Sequence, residues 1–440
     1  MTSSMDRREF VKQGTAAGVG IGMMGMPNLI RRRDVADTVS VAVMGVNSRG
    51  HVLAESFASA AGAEVVAICD VDSRATSKTV AAVTERQDRA PVGMTDFRRT
   101  LDDPNVDALV IAAPDHWHTP AALMALQAGK HVYLEKPCSH NPHEGELLVE
   151  AQAKYDRVVQ MGNQQRSAPR SIDVIGEIHN GLIGRAYFAR AWYANTRGPI
   201  GNGRSARVPD WLDYELWQGP APRTTYRDNV VHYNWHWFWR WGTGEVNNNG
   251  THEIDVCRWA LDVEYPSRVT SAGGRYHDDD DWEFYDTQIC SFDFAGRKTI
   301  TWEGRSCNGR PIEGRGRGAS IHGEDGTVVI DRSGYVVYDN DNNEIKRNMR
   351  RGDEVTLDTR GGGSLTDRHI DNFLRSVRGE ATPTAPIHDG RKSQLLCHLA
   401  NIAQRTGDTL TLEGSRLVNA SARARAIWSR EYEPGWEPTV

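Results

Sequence analysis

The chain has 440 residues, of which 39% are hydrophobic and 25% charged, and a formal net charge of −6. That length gives room for about two domains. The lack of a basic excess argues against nucleic acid as a partner, and no internal run of ~18 or more apolar residues suggests a membrane span. Six scattered cysteines (Cys69, Cys138, Cys257, Cys290, Cys307 and Cys397) show no metal-binding spacing and read mainly as buried thiols.

The first segment, residues 1–36, reads as a signal rather than as part of the fold. "MDRREFVKQG" carries Arg7 and Arg8, with Phe10 and Lys12 after them, and the small apolar stretch "TAAGVGIGMMGM" follows. A positive region with paired arginines ahead of a weakly hydrophobic one matches a twin-arginine signal. The expectation is export of the folded protein, with a periplasmic location and no membrane span after processing.

Residues 37–160 are expected to form a dinucleotide-binding unit. "TVSVAVMGVNSRGHVLAESFASA" gives a strand from Val39 to Met44, a glycine turn, and a helix with Val52, Leu53 and Phe57 on one face. "EVVAICDVD" is a second buried strand ending in Asp70. The turn reads Gly45-x-Asn47-x-x-Gly50, so asparagine replaces the middle glycine of the usual fingerprint. Asparagine tolerates a left-handed backbone, which keeps close approach to a pyrophosphate open. Asp70 is placed to accept from a ribose 2′-hydroxyl and to repel a 2′-phosphate. That favours NAD, while Arg74 nearby leaves NADP possible.

Further strand–helix alternation runs through "VDALVIAAPDHWHTPAALMALQAGKHVYLEKP", with buried strands from Ala108 to Ala113 and from His131 to Leu134. Ligand loops are expected at the strand ends, Pro114 to His118 and Glu135 to Pro137. "AAPDHWHTP" and "EKP" behind this unit resemble the Gfo/Idh/MocA oxidoreductases, the glucose–fructose oxidoreductase and inositol dehydrogenase group. "VVQMGNQQRS", "PDWLDYELWQGPAP", "HIDNFL" and "LLCHLANIAQRTG" resemble motifs of a twin-arginine-exported bacterial branch.

The resemblance implies an α/β fold: a Rossmann domain, then an α+β domain over 161–440 with an open, mainly antiparallel sheet. It implies cofactor contacts from Gly45, Asn47, Ser48, Arg49 and Gly50, from Asp70, and from Ala113, Pro114, Trp117 and His118. Glu135, Lys136 and Gln164 complete that set. Lys136 is implied to lie between the nicotinamide and the substrate hydroxyl, where an ammonium can stabilise alkoxide character. A cis bond before Pro137 fits the motif.

In the second domain "AYFARAWYA" and "TQICSFDFAGRKTITWEGRS" read as strands. Between them "YRDNVVHYNWHWFWRWGTGE" concentrates aromatics, including Tyr226, Trp237, Trp239 and Trp241. Tyr233, Trp235 and His236 are taken as substrate contacts, because aromatic faces stack on sugar rings. The acidic run "HDDDDWE" reads as a solvated loop rather than a metal site, and no metal is expected.

"NNNGTHEID" opens a helix by its apolar spacing, with Asn249 or Thr251 as the cap. His252 then falls in the first turn, where the helix dipole keeps an imidazole neutral, the form a general base needs. Asp255, three residues on, is placed to fix its tautomer. The family resemblance assigns acid/base catalysis to this histidine. It also exposes a departure, because the carboxylate many members carry four residues earlier is Asn248 here. Asn248 is expected to bind a substrate hydroxyl without holding a proton.

Three readings follow. The first is an oxidoreductase acting on a hydroxyl of a sugar, sugar derivative or cyclitol, as a homo-oligomer with tightly held NAD recycled in each cycle. The second is a redox-neutral NAD-dependent glycoside hydrolase. The third, a non-catalytic carbohydrate-binding protein, sits poorly with Asp70, Lys136 and His252 together.

Overall fold

The computed structural model describes residues 38–349 and 362–440. The paired arginines and the rest of the expected signal therefore lie outside the described residues.

Two sheets organise the chain. The first is six-stranded, in the order β3-β2-β1-β4-β5-β6. Its strands are β1 (Val39–Met44), β2 (Ala63–Cys69), β3 (Val92–Met94), β4 (Ala108–Ile111), β5 (His131–Leu134) and β6 (Val159–Met161). Every pairing in it is parallel. The four residues of β4 are buried throughout, as expected for a strand covered by helices on both faces. β6 straddles the expected domain boundary at residue 160 and belongs to this sheet.

The second sheet has ten strands in the order β14-β13-β12-β11-β7-β10-β9-β8-β15-β16. They are β7 (Phe188–Ala194), β8 (Arg268–Gly274), β9 (Thr287–Phe294), β10 (Lys298–Arg305), β11 (Arg317–His322), β12 (Thr327–Asp331), β13 (Gly334–Tyr338), β14 (Glu344–Met349), β15 (Leu410–Glu413) and β16 (Arg416–Val418). Only β7 and β10 pair in parallel; the other pairings are antiparallel. Alternate residues of β9 are buried, the pattern of a sheet with one face on the core. The helices Thr251–Leu261 and Ile387–Thr406 cover that face and share its core with Ile254, Phe292, Ile300, Trp302 and Leu396. The helix Ser364–Val377 returns to the first sheet, where Phe373 meets Phe57 and Tyr133 edge-on.

Three expectations change at this level. β4 ends at Ile111, and the helix Asp115–Gln127 begins at once, so residues 115–118 are a helix start rather than a loop. Thr251–Leu261 is not a capped helix start: it continues a π turn over Val246–Gly250, and its N-cap position, Gly250, has no side chain to cap with. The acidic run is tied down rather than merely solvated. Asp280 bonds Arg275 and the Ile200 amide, and Asp281 takes the Gly203 amide, Arg227 and Asn229.

Five histidines are buried with pKa values below the usual range: His116, His236, His252, His369 and His398. Burial is the main cause in each. Several act as ties between distant segments. His116 meets the carbonyls of Trp217 and Trp241, and His369 meets Ser167 Oγ and Met161 O.

Candidate active site

The carboxyl ends of β1, β2, β4 and β5 open onto a cavity of about 610 Å³ whose far wall comes from the second sheet and the 232–249 segment. At β1 the chain turns through Gly45, at φ 82°, where an added Cβ would lie 2.5 Å from Ala113 Cα. The left-handed residue is thus Gly45, while Asn47 stays out of that region. Gly50 is a packing glycine: a Cβ there would stand 2.0 Å from Gly45 O. Asn47, Ser48 and Arg49 face the cavity at the N-terminus of the helix Arg49–Ala58, where Ser48 makes no side-chain cap. Free amides at a helix start suit a pyrophosphate.

Asp70 lies on the cavity wall, and its carboxylate already takes the amides of Val46 (2.6 Å) and Asp72 (2.8 Å). Burial pushes its pKa up to about 6 against those hydrogen bonds. Arg74 is committed elsewhere. It donates Nε and Nη2 to Asp72 and lies 3.4 Å over the Trp211 ring.

Ala113, Pro114, Trp117 and His118 line the next stretch of wall. The Trp117 indole donates to Trp217 O at 3.1 Å, and both His118 ring nitrogens face carbonyls, of Pro137 and Ala113. Glu135 pairs with Arg49 at 2.8 Å and accepts from Gln164 at 3.1 Å. Burial alone would raise Glu135, but Arg49 and Lys136 outweigh it and hold the carboxylate below its ordinary value. Gln164 orients Glu135 and is not on the wall.

Lys136, just before a cis Pro137, occupies the centre. Its Nζ donates to the carbonyl oxygen of Asn248 at 2.7 Å and to the amide Oδ1 of the same residue at 3.1 Å. Burial lowers its pKa, with Glu135 and Asp115 pushing the other way. Asn248 Nδ2 reaches Tyr233 OH at 3.4 Å. Tyr233, Trp235 and His236 share the wall, with His236 stacked 3.5 Å from Trp235 and 4.1 Å from Tyr233. The other aromatics of that segment do different work: Trp237 stacks on Trp282, Trp239 on Phe284, and Trp241 meets Trp217.

His252 is not on the cavity wall. It is buried, and its Nε2 has no partner among the described residues. Burial, with the positive charges of Lys136, Arg317, Arg332 and Arg49, holds it well below the ordinary histidine value. The imidazole is neutral as expected, but not through a helix start. Asp255 does not fix its tautomer either, being taken by Arg166 and Ser393.

The wall also holds groups given no role from sequence. Asp115 accepts from Thr243 Oγ1 at 2.5 Å, and burial raises its pKa. Its signal lay inside "AAPDHWHTP". Arg197, Tyr193 and Asn195 line the substrate side, and only the fold brings them there; Asn249, expected as a helix cap, lines it as well. Among the described residues the one metal-type cluster, His277, Asp278 and Cys307, is partly exposed and lies away from the cavity wall.

Two family profiles match the chain: an oxidoreductase family NAD-binding Rossmann fold over residues 39–163, and the same family's C-terminal alpha/beta domain over 220–412. A glycosyl hydrolase family 109 protein of Saccharopolyspora erythraea is 30% identical over 213 residues, 44% of this chain and 46% of that protein. The chain thus spans about half the length of that relative. An inositol 2-dehydrogenase of Rubrobacter xylanophilus is 27% identical over 300 residues, 68% of this chain and 73% of that one. Among solved structures, an aldose-aldose oxidoreductase from Caulobacter crescentus superposes with a TM-score of 0.63 at 18% identity, covering 85% of this chain and all of that one.

Proposed function

Because this chain belongs to the Gfo/Idh/MocA oxidoreductase family and carries its NAD-binding domain, we propose that it acts on a hydroxyl of a sugar, sugar derivative or cyclitol. The observation that carries the reading is Lys136, whose Nζ is fixed by two oxygens of Asn248 and faces the cavity between the glycine turn and the aromatic wall. Bound NAD supplies the hydride acceptor. The residues at hand fit it: the Gly45 turn, the open helix start at Arg49, and Asp70.

With two of its tetrahedral positions spent on Asn248, Lys136 presents the remaining one to the substrate. As an amine it takes the hydroxyl proton during oxidation, and as an ammonium it returns one during reduction. Its lowered pKa favours that exchange. His252 is set behind the wall, near enough to Lys136 that the lysine's charge disfavours protonation of its ring, which keeps it a neutral neighbour. Arg74, locked onto Asp72 and Trp211, leaves no free guanidinium for a 2′-phosphate, which supports NAD over NADP.

The paired arginines support export of the folded protein. An exported enzyme has little free dinucleotide to exchange, so the cofactor is held and restored within each cycle. The family 109 relative favours a second reading that meets the same demand. In it a glycoside is oxidised, loses its aglycone with base help, adds water and is reduced again.

The test is turnover by purified protein without added cofactor, on free sugars and aryl glycosides, with products weighed by mass spectrometry. A sugar pair oxidised and reduced in equal amounts supports the oxidoreductase. Release of the aryl alcohol with a sugar of unchanged oxidation state favours the hydrolase. No turnover of either class sinks both.

A further inference from the structure

Resting on that reading, the charges around the cavity narrow the substrate class. Arg197 stands on the substrate wall beside Tyr193 and Asn195, and its side chain is 19% exposed. Directly behind it, off the wall, is Glu245, 5% exposed. Arg197 Nε meets Glu245 Oε2 at 2.7 Å, and Nη2 reaches Glu245 Oε1 and Tyr193 OH at 3.4 Å each. Glu245 is held in place by Ser306 Oγ at 3.0 Å and by a short bond from Asn249 Nδ2. Among the described residues Arg197 Nη1 has no partner. The guanidinium lies 4.9 Å over the Trp237 ring, which fixes its plane.

Three other cations near the cavity are matched in the same way, while Arg332, whose Nη1 has no partner among the described residues, lies off the cavity wall. Arg49 has Glu135, Arg317 has Glu253, and Arg74 has Asp72. Lys136 is left to the reacting hydroxyl, with Asp115 nearby. The substrate side therefore offers a directed donor whose charge is already balanced, not a free positive charge. An anionic substituent placed on Arg197 would approach Glu245 and lose water without gaining a net attraction. A neutral hydroxyl or carbonyl oxygen would accept from Nη1 at no such cost.

We propose that the Arg197–Glu245 pair selects neutral carbohydrates and rejects uronates and sugar phosphates. Arg197 is a specificity-determining residue that takes one uncharged oxygen of the substrate through Nη1. Glu245 sets the charge that Arg197 shows to the cavity.

The test uses the full chain loaded with NAD and measures binding by quenching of tryptophan fluorescence. The probes are matched sets: glucose, glucuronate and glucose 6-phosphate, with their galacto and 2-acetamido counterparts. The neutral member of at least one set should bind roughly 10-fold or more tightly than its anionic partners. Glu245→Gln keeps the shape but removes the balancing charge, and should shift that ratio about tenfold towards the anions. Arg197→Gln should weaken the neutral sugar by about tenfold while leaving NAD affinity unchanged. Tighter binding of a uronate or phosphate by the wild type, a ratio indifferent to Glu245→Gln, or no binding by any set would overturn the proposal. Charge-ordered binding without turnover would leave it standing and count against the redox reading alone.

Discussion

At the residue scale, the amide at position 248 decides how protons move. Asn248 gives Lys136 two neutral oxygens, so nothing there holds the ammonium as a carboxylate would. Asn248→Asp should raise the pKa of Lys136. Oxidation needs the amine, so the acidic limb of its pH–rate profile should move to higher pH, while Asn248→Ala should leave it nearly in place. Lys136→Met should cost at least the ~10²-fold of a missing general base, and His252→Ala should cost less than that, both with NAD still bound. A greater loss at His252 than at Lys136 would reinstate the histidine as the group at the hydroxyl. The glycine turn, Asp70 and the EKP lysine were legible in the sequence because each belongs to a short local motif. Arg197, Glu245 and Thr243 were not, since their roles arise from juxtaposition across the cavity. The place of His252 behind the cavity wall was not legible either, because the π turn Val246–Gly250 ahead of it carries no sequence signature.

At the element scale, the wider winding of that turn is what places Asn248. The turn Val246–Gly250 is pinned from three sides around Asn247, which is fully buried. Its Nδ2 donates to Thr243 O at 2.9 Å, its Oδ1 takes Gln394, and its carbonyl takes Thr251 Oγ1 at 2.6 Å. π turns recur where a function needs a side chain aimed off the regular ladder. Asn247→Ala leaves Gln394 unsatisfied in the core and should cost ~1–3 kcal/mol of stability, read by denaturant unfolding. It should also lower turnover by moving Asn248. Full turnover in a destabilised variant would separate the turn from the site. The periodic strands and the helix face at Leu53 and Phe57 were readable because burial imposes periods of two and 3.6. A π turn has no such signature, and "NNNG" reads equally well as a cap.

On the scale of the whole molecule, the first sheet and the second region wall the cavity from opposite sides. The strand-end residues Asp70 to Ser73 are met by the second region: Ser73 N bonds Trp211 O, and Asp213 N bonds Val71 O. A protein exported already folded would leave the cytoplasm with its NAD in place. Replacing Arg7 and Arg8 by lysine should trap the protein inside, and the periplasmic fraction of wild type should contain NAD in near-equal molar amount. Equal export of the lysine variant would remove the twin-arginine reading.

The buried imidazoles that tie these segments together have a consequence for life in acid. An unfolded chain takes up protons at histidine near pH 6.5, whereas the five enclosed rings refuse them, with His116 and His398 held down to about 3 and His369 to about 4. Three enclosed carboxyls with raised pKa, Asp70, Asp115 and Glu253, pull the other way by accepting protons while folded. His51, His140, His232 and His322 are lowered as well, so the lowered imidazoles outnumber the raised carboxyls, the unfolded chain binds more protons below pH 6.5, and stability falls as the pH drops. Against a total stability of ~5–15 kcal/mol, mild acid should act as a denaturant. Because His116 and His369 tie distant segments of the chain together, ellipticity and bound-NADH fluorescence should fall together between about pH 6 and pH 4.5. Loss of structure only below about pH 4, the range of ordinary carboxylates, would show that these rings do not govern it. If the protein is exported as the paired arginines suggest, acid outside the cell would switch it off by emptying it of a cofactor that is scarce there.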